Sequence, residues 1–443
     1  MNPLRKKCDN PETHNFGSTK HARQPVSTLN SENLPSENPS YSKWQLVFVS
    51  LRNRNFLLLW IGMIFTMGGI QMQMIARSYL VYDMTESAKL LGSVSAAGGL
   101  PMLILAPFGG AIADRMNRKN LIQFGQLTLA IIAISIGISI HIGEISWLQL
   151  LLAAILQGIV WPFVMPARQA LIPQLVGHKN ISNAVALQAA AMSLTTMTAP
   201  AIAGILYAFI GPEGVYHTIS ISILLSLILT SLISNPPDKN PRSKSHVLEE
   251  IWEGFSYVKK NRLLITLMAI TLSTILLTVP IKFLLPIFVT DIYQRESGAF
   301  GLLMSVIGIG SLAGSIFIAW LGQWKRGLLL ILGSFVSGLA ILILGLIPVY
   351  SIAIGLMVLI GLGEASRRTL SMGLIMEQVD DKHQARVMSF FTMSFGLMPL
   401  GIFPAGIAID LIGPEKTVAT MGIAMLIITT IVFLRQKTIR GLQ

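Results

Sequence analysis

Apolar residues in this chain come in long runs punctuated by short stretches of charge, Gly and Pro. The runs match the roughly 20 residues of helix that cross the hydrocarbon core of a bilayer. Twelve can be drawn, at approximately 55–80, 90–112, 120–141, 146–168, 184–210, 214–234, 263–288, 299–321, 327–347, 349–376, 386–410 and 415–434. The stretches 121–140 and 218–233 contain no charged residue at all. Backbone polar groups inside lipid must be satisfied within the element itself, so the runs predict helices. The fold class expected is an all-α polytopic membrane protein of twelve transmembrane helices.

The polar positions between the runs are as regular as the runs themselves. Of 33 Lys and Arg, 28 fall in the tails, in every second loop or in the halves of the runs nearest those loops; three (Lys89, Arg295, Lys416) fall in or beside the alternate loops, and two (Arg77, Lys282) lie within runs toward the alternate side. Positive loops stay cytoplasmic, so both termini are expected there, in a bacterial inner membrane. No short apolar core of a cleavable signal peptide precedes the first run. The expected divisions are a disordered tail over 1–43, a six-helix half over 44–234, a cytoplasmic linker over 235–262, a second six-helix half over 263–435, and a tail over 436–443. Within the linker, Leu248, Ile251, Trp252, Phe255 and Val258 recur at helical spacing. They predict either an interfacial helix with Lys259 and Lys260 near headgroups or a solvated linker helix.

The two halves are related. RNRNFLLLWI at Arg52 recurs loosely as KKNRLLITL at Lys259, and Arg118-Lys119 recurs as Lys325-Arg326, each about 207 residues on; IPQLVGHKN at Ile172 resembles MEQVDDKHQ at Met376, 204 on. Two six-helix repeats of this kind place a substrate site between them near the bilayer midplane.

Composition adds exclusions. With 52% hydrophobic and 12% charged residues and a mean hydropathy of +0.64, the chain departs far from the roughly 25% charge of soluble domains. Its formal net charge of +12 does not cluster as a nucleic-acid footprint, so no nucleic-acid partner is expected. A single Cys, Cys8, excludes disulfides and Cys-based metal centres. Without a phosphate-binding loop motif there is no nucleotide partner, no metal or other cofactor is expected, and no catalytic constellation can be drawn. The expectation is a non-enzyme, most simply a monomer, whose partners are a small-molecule substrate, membrane lipids and a proton gradient.

One loop carries a recognisable motif. Gly110-Ala-Ile-Ala-Asp114-Arg115-Met-Asn117-Arg118-Lys119 follows the second run. It resembles the loop between helices two and three of the major facilitator superfamily, with Asn117 where that family has Gly; Asn is the residue next most tolerant of positive φ. The segments LVYDMTES at Leu80, LPMLILAPFGGAIADR at Leu100, PARQALIPQLV at Pro166, NAVALQ at Asn183, APAIAGILY at Ala199 and ARVMS at Ala385 narrow the resemblance. They are similar to the branch called transmembrane secretion effectors, which includes siderophore exporters and macrolide efflux pumps. The resemblance covers Asn53 to Gly413 and implies the major facilitator fold with export by alternating access. It implies a switching role for Gly110, Asp114, Arg115, Arg118 and Lys119, with the basic residues facing anionic lipid. The second-half copy of the loop is degenerate, with Leu321 where the Asp would fall.

Pro200 and Gly204, one turn apart in run five, resemble the family's switching element at the interface between halves; small residues also serve helix packing alone. Charges inside runs are costly and mark sites. The resemblance places runs one, four, seven and ten around the cavity, which makes Arg77 and Lys282 substrate contacts, with Arg77 equally readable as a snorkelling side chain. Glu364 is expected to carry the coupling proton, since desolvation favours its neutral form and a neighbouring cation its charged form; the alternative is a static pair with Arg367 or Arg368. Gln71, Gln73, Gln157 and Trp161 are candidate cavity contacts or helix-packing groups. The basic excess inside the runs points to an anionic substrate, with a siderophore or similar polar metabolite ahead of a drug.

Overall fold

The computed structural model describes residues 48–177, 180–234, 247–322, 324–380, 387, 391 and 393–436, without side chains at 107, 110, 111, 113, 114, 247–251, 253 and 254. The tails expected over 1–43 and beyond Gln436, and linker residues 235–246, lie outside that set. Among the described residues eleven helices are long and apolar enough to cross a membrane. One of them, Ile181–Ser231, is two helices in fact: Gly211 sits at φ 68°, ψ 179° and breaks it. Twelve spans result, as the apolar pattern predicts.

The spans are α1 (Arg54–Thr85), α2 (Ala88–Ala97 continued as Gly99–Arg115), α3 (Arg118–His141), α4 (Trp147–Val176), α5 (181–210) and α6 (212–231). In the second half come α7 (Arg262–Leu277 and Val279–Ile287, closed by a π turn over Phe288–Ile292), α8 (Ser297–Leu321), α9 (Arg326–Leu346), α10 (Tyr350–Gln378), α11 (Pro399–Ile412, preceded by a 3₁₀ turn over Ser394–Leu397) and α12 (Pro414–Arg435).

Polar residues at the run ends fix where helices begin. Asn53 accepts from the Phe56 amide at 3.1 Å, Ser87 from Leu90 at 3.3 Å, and Ser146 forms a reciprocal capping box with Gln149. Asn117 does the same for α3, accepting from the Asn120 amide at 3.3 Å from a backbone at φ −61°. The positive-φ rationale for Asn at that position is therefore wrong: it is a helix cap. The α5–α6 and α11–α12 turns share one solution. Ile210-Gly211-Pro212-Glu213 and Ile412-Gly413-Pro414-Glu415 each put Gly at positive φ (68° and 87°) and Pro at the first helical position, where its missing N–H is no loss.

Small residues let the halves meet. A Cβ on Gly204 of α5 would lie 2.9 Å from the Gly301 Cα of α8, and one on Gly301 would lie 2.5 Å from the Pro200 carbonyl oxygen. Across α2 and α11, a Cβ on Gly92 would meet the Gly406 Cα at 3.3 Å. At the end away from the basic loops the Asp410 carboxylate of α11 accepts from the backbone amides of Ala88 and Lys89 at the start of α2 (3.1 and 3.0 Å), and the Tyr82 hydroxyl of α1 donates to Asp291 of α7.

The buried core follows the same division. At the end away from the basic loops one cluster runs through both halves, joining Val81, Ile136 and Ile219 to Leu285, Phe300, Leu344 and Ile409. At the basic end each half keeps its own: Phe56, Ile122, Leu171 and Leu187 in the first, Leu264, Ile318, Leu330 and Leu374 in the second. The two halves thus share a core at the end away from the basic loops, and at the basic end a helix over Val247–Lys260 borders the cleft between them, packing beside α2 and α7. Val258 of that helix is buried in the second half's core, while Trp252 and Phe255 stay exposed and adjacent, ring centroids 5.7 Å apart.

Candidate transport site between the two halves

Two polar pairs stand between helices that are repeat mates. In the first half the Arg77 guanidinium of α1 donates to the Gln157 side-chain oxygen of α4 at 2.7 Å. In the second, the Lys282 ammonium of α7 lies 2.5 Å from a Glu364 carboxylate oxygen of α10. Glu364 is 207 residues beyond Gln157, and Lys282 is 205 beyond Arg77, so both pairs occupy the same place in the repeat. Lys282 and Glu364 retain 19% and 26% side-chain exposure, enough for water to reach a pair otherwise set among Ile281, Leu284 and Ile360.

The static pairing of Glu364 with Arg367 or Arg368 is not what forms. Arg367 is buried and donates instead to the Gly333 carbonyl of α9 at 3.1 Å, and Arg368 is exposed. One turn of helix carries the acid and both bases, but three and four residues on α10 point away toward α9 and outward. The same rule moves Gln73. It is 1% exposed, with neither side-chain nitrogen nor oxygen partnered, in register with Gly62, Thr66 and Gly69, which pack on Ser226, Ile223 and Ile219 of α6. Gln73 therefore faces α6 rather than the cleft; Gln71 is half-buried.

Trp161, one turn beyond Gln157 on α4, packs with Ile70 and Trp60 against a small cluster of Met63, Met67 and Ala191. Sequence reasoning placed Trp161 and Gln157 together but missed these methionines as part of the same wall. The signal was present as the α1 spacing of Met63, Met67, Ile70, Met74 and Arg77, one helical face.

The Asp-Arg loop holds helix ends. Arg118 donates to the Ala170 carbonyl of α4 at 2.9 Å, and Lys119 to the Ser231 and Ile233 carbonyls at the end of α6 (2.9 and 2.6 Å). These bases neutralise the negative ends of helices, so their expected lipid-facing role is corrected to a staple within the first half. Arg115 is exposed; the Asp114 side chain and the surroundings of Gly110 lie outside the described residues. Arg168, counted as a loop base, is buried on α4, with Nε and Nη1 unpartnered. In the second half Arg326 bonds Glu377, so the degenerate copy of the loop keeps a staple of its own. Among the described residues no cluster of His, Cys, Asp and Glu could hold a metal ion.

Two six-helix repeats with repeat-related polar pairs between their helices are the architecture of a transporter of the major facilitator class. The sequence signature described as transmembrane secretion effector matches residues 46–440, and the chain belongs to that family. Among curated relatives, macrolide efflux protein A of Streptococcus pyogenes is 22% identical over 354 residues, covering 79% of this chain and 85% of the relative. The enterobactin exporter EntS of Shigella boydii serotype 4 is 28% identical over 312 residues, covering 70% and 74%. Solved structures share the fold: a mutant of the nucleoside transporter NupG superposes with TM-score 0.73 at 12% identity, over 86% of this chain and 100% of that one. A POT family transporter in complex with 5-aminolevulinic acid superposes with TM-score 0.74 at 13% identity, over 87% and 97%. The chain is a multi-pass efflux transporter of this superfamily.

Proposed function

We propose that the chain exports a small polar molecule across the bacterial inner membrane in exchange for protons, with both termini cytoplasmic. The observation that carries the reading is the Lys282–Glu364 pair (2.5 Å) between α7 and α10, beside the seam of the two halves. The 28-to-3 distribution of bases supports a cytoplasmic basic end. When the carboxylate of such a pair takes a proton, the pair gains one positive charge and the ammonium is released from its partner, so proton uptake changes both the charge and the contacts of the site. That makes Glu364 the proton carrier and Lys282 its gate, and Pro200 and Gly204 part of the seam on which the halves rock.

The substrate reading favours a siderophore or similar anionic metabolite, on the basic excess of Arg77 and Lys282 over Glu364 and on the relative named an enterobactin exporter. The macrolide efflux relative supports a second reading, efflux of a drug. Comparing the extracellular metabolites of a deletion strain and its parent under iron limitation separates the two: an iron-chelating product retained in the mutant supports the first, and unchanged metabolites with lowered macrolide tolerance support the second. Proton exchange is tested in vesicles with an imposed pH gradient. Glu364→Gln is expected to abolish uphill export and leave downhill exchange; full uphill transport by that variant would remove Glu364 from the coupling step.

A further inference from the structure

The two repeat-related pairs differ in one respect that decides where a substrate charge can sit. Lys282 is already neutralised by Glu364 at 2.5 Å. Arg77 has only the uncharged Gln157 oxygen, at 2.7 Å. Gln157 is its one hydrogen-bond partner among the described residues, and none of its nitrogens is among the buried groups left without a partner. The residue is only half-buried, so the rest of its five-donor fork is free for a ligand. Arg77 thus leaves one uncompensated positive charge deep in the cleft, held by a partner that costs little to displace.

What lies beside it is apolar. Moving along α1 and α4 from Arg77 and Gln157 toward the basic end, the same two helix faces carry Trp161, half-buried, backed by the buried Met67 and Met63. An indole backed by thioethers gives a flat, adaptable apolar face. We infer that Arg77 anchors a single anionic group of an amphiphilic substrate, whose apolar or aromatic body lies on Trp161 toward the basic end. The inference rests on the export reading and gives the substrate's charge to Arg77 alone, of the two cations that the sequence made substrate contacts.

Linkage supports that assignment. An anion that displaced Glu364 from Lys282 would leave a bare carboxylate beside a filled site, and that carboxylate would take up a proton in the same step. Substrate and proton would then travel together. Export driven by inward proton flow needs them on opposite half-cycles. An anion at Arg77 leaves the Lys282–Glu364 pair intact, and with it the proton free to move when the site is empty.

The test is binding by the purified full-length protein in detergent, without any gradient, using 2-naphthoate and its uncharged amide as probes and intrinsic tryptophan fluorescence as readout. The wild type is expected to prefer the carboxylate by about tenfold or more, the scale of a hydrogen-bonded charge pair. Arg77→Gln should bind both probes alike, at the wild-type affinity for the amide, and Arg77→Lys should restore part of the preference. The double variant Lys282→Gln/Glu364→Gln should keep it. A preference lost in the double variant and kept in Arg77→Gln would place the anion at Lys282 and overturn the inference, as would a wild type that does not favour or does not bind the carboxylate. Because no gradient is applied, failure of proton coupling in the vesicle assay leaves this result standing.

Discussion

Where the first half sets a cation against a neutral oxygen between α1 and α4, the second sets one against a carboxylate between α7 and α10. Arg77–Gln157 corresponds to Lys282–Glu364, both far from the basic loops. At the basic end Arg118 bonds the backbone carbonyl of Ala170, and 207 residues beyond Ala170 stands Glu377, which bonds Arg326. The same frame therefore carries two electrostatic designs. A cation held by an amide keeps its charge for a ligand. One held by a carboxylate is silent until the carboxylate is protonated or pulled away. A repeat can thus divide labour between binding and coupling by two point differences, without altering a helix.

The sharpest way to break that comparison is to remove each cation in turn. Lys282→Ala strands the Glu364 carboxylate at the cleft, which typically costs 3–5 kcal/mol. The acid can escape by taking a proton, and at pH 7 that caps the loss at roughly 4 kcal/mol, at about 1.4 kcal/mol per pH unit above an ordinary carboxyl value. The deficit of Lys282→Ala relative to wild type should therefore shrink as pH falls from 7 to 5. Arg77→Ala leaves only an amide unpaired and should cost about 1 kcal/mol, with no such pH dependence. Thermal unfolding in detergent at the two pH values measures both, and Lys282→Leu/Glu364→Leu should recover most of the loss. Equal losses in the two single variants, or a pH-independent gap, would mean that the halves do not differ as described.

The span pattern was legible because lipid imposes it: twenty apolar residues per crossing and basic loops on one side are demands that each segment meets alone. The helix break at Gly211 was legible as well, since the run divides there at Gly-Pro. Side-chain direction was not. Glu364, Arg367 and Arg368 lie within one turn in the sequence, yet the acid reaches α7 while Arg367 reaches α9; that choice depends on how α10 is rotated, which its neighbours decide. The choice between cavity contact and helix packing for Gln73 was illegible for the same reason, since it stands two residues from Gln71 and points to nearly the opposite side of the helix. The repeat offset already used for the loops carries Gln157 onto Glu364 and Arg77 to within two residues of Lys282. Applied to the polar positions inside the runs, it would have paired them.

A second prediction sharpens the comparison by making the halves alike. Gln157→Glu gives the first half the charge pattern of the second, placing a carboxylate oxygen where Arg77 now donates to an amide oxygen at 2.7 Å. An anionic probe must then displace a charged partner, and a charge-assisted bond is roughly twice as strong as a neutral one. The preference for 2-naphthoate over its amide should fall by about tenfold, on the order of 1.4 kcal/mol, with the amide's affinity unchanged. If the preference survives, the charge of residue 157 does not govern the site.

The smallest effect is expected at the basic end, at the Arg326–Glu377 pair. Glu377 is 48% exposed in its side chain and Arg326 is 18% exposed, so water screens much of their attraction. Arg326 also donates through Nε to the Gly322 carbonyl at 3.3 Å, a bond that survives loss of the acid. Glu377→Gln should therefore change stability by no more than about 0.5 kcal/mol, the range of exposed ion pairs, and the difference should vanish in roughly 1 M salt, where the screening length falls to about 3 Å. Transport should be unaffected, because Arg326 keeps its bond to the Gly322 carbonyl when the acid is lost. A tenfold loss of transport by a normally folded Glu377→Gln would instead make this carboxylate part of the switch, and would mean that the second half couples charge to movement at both ends of α10.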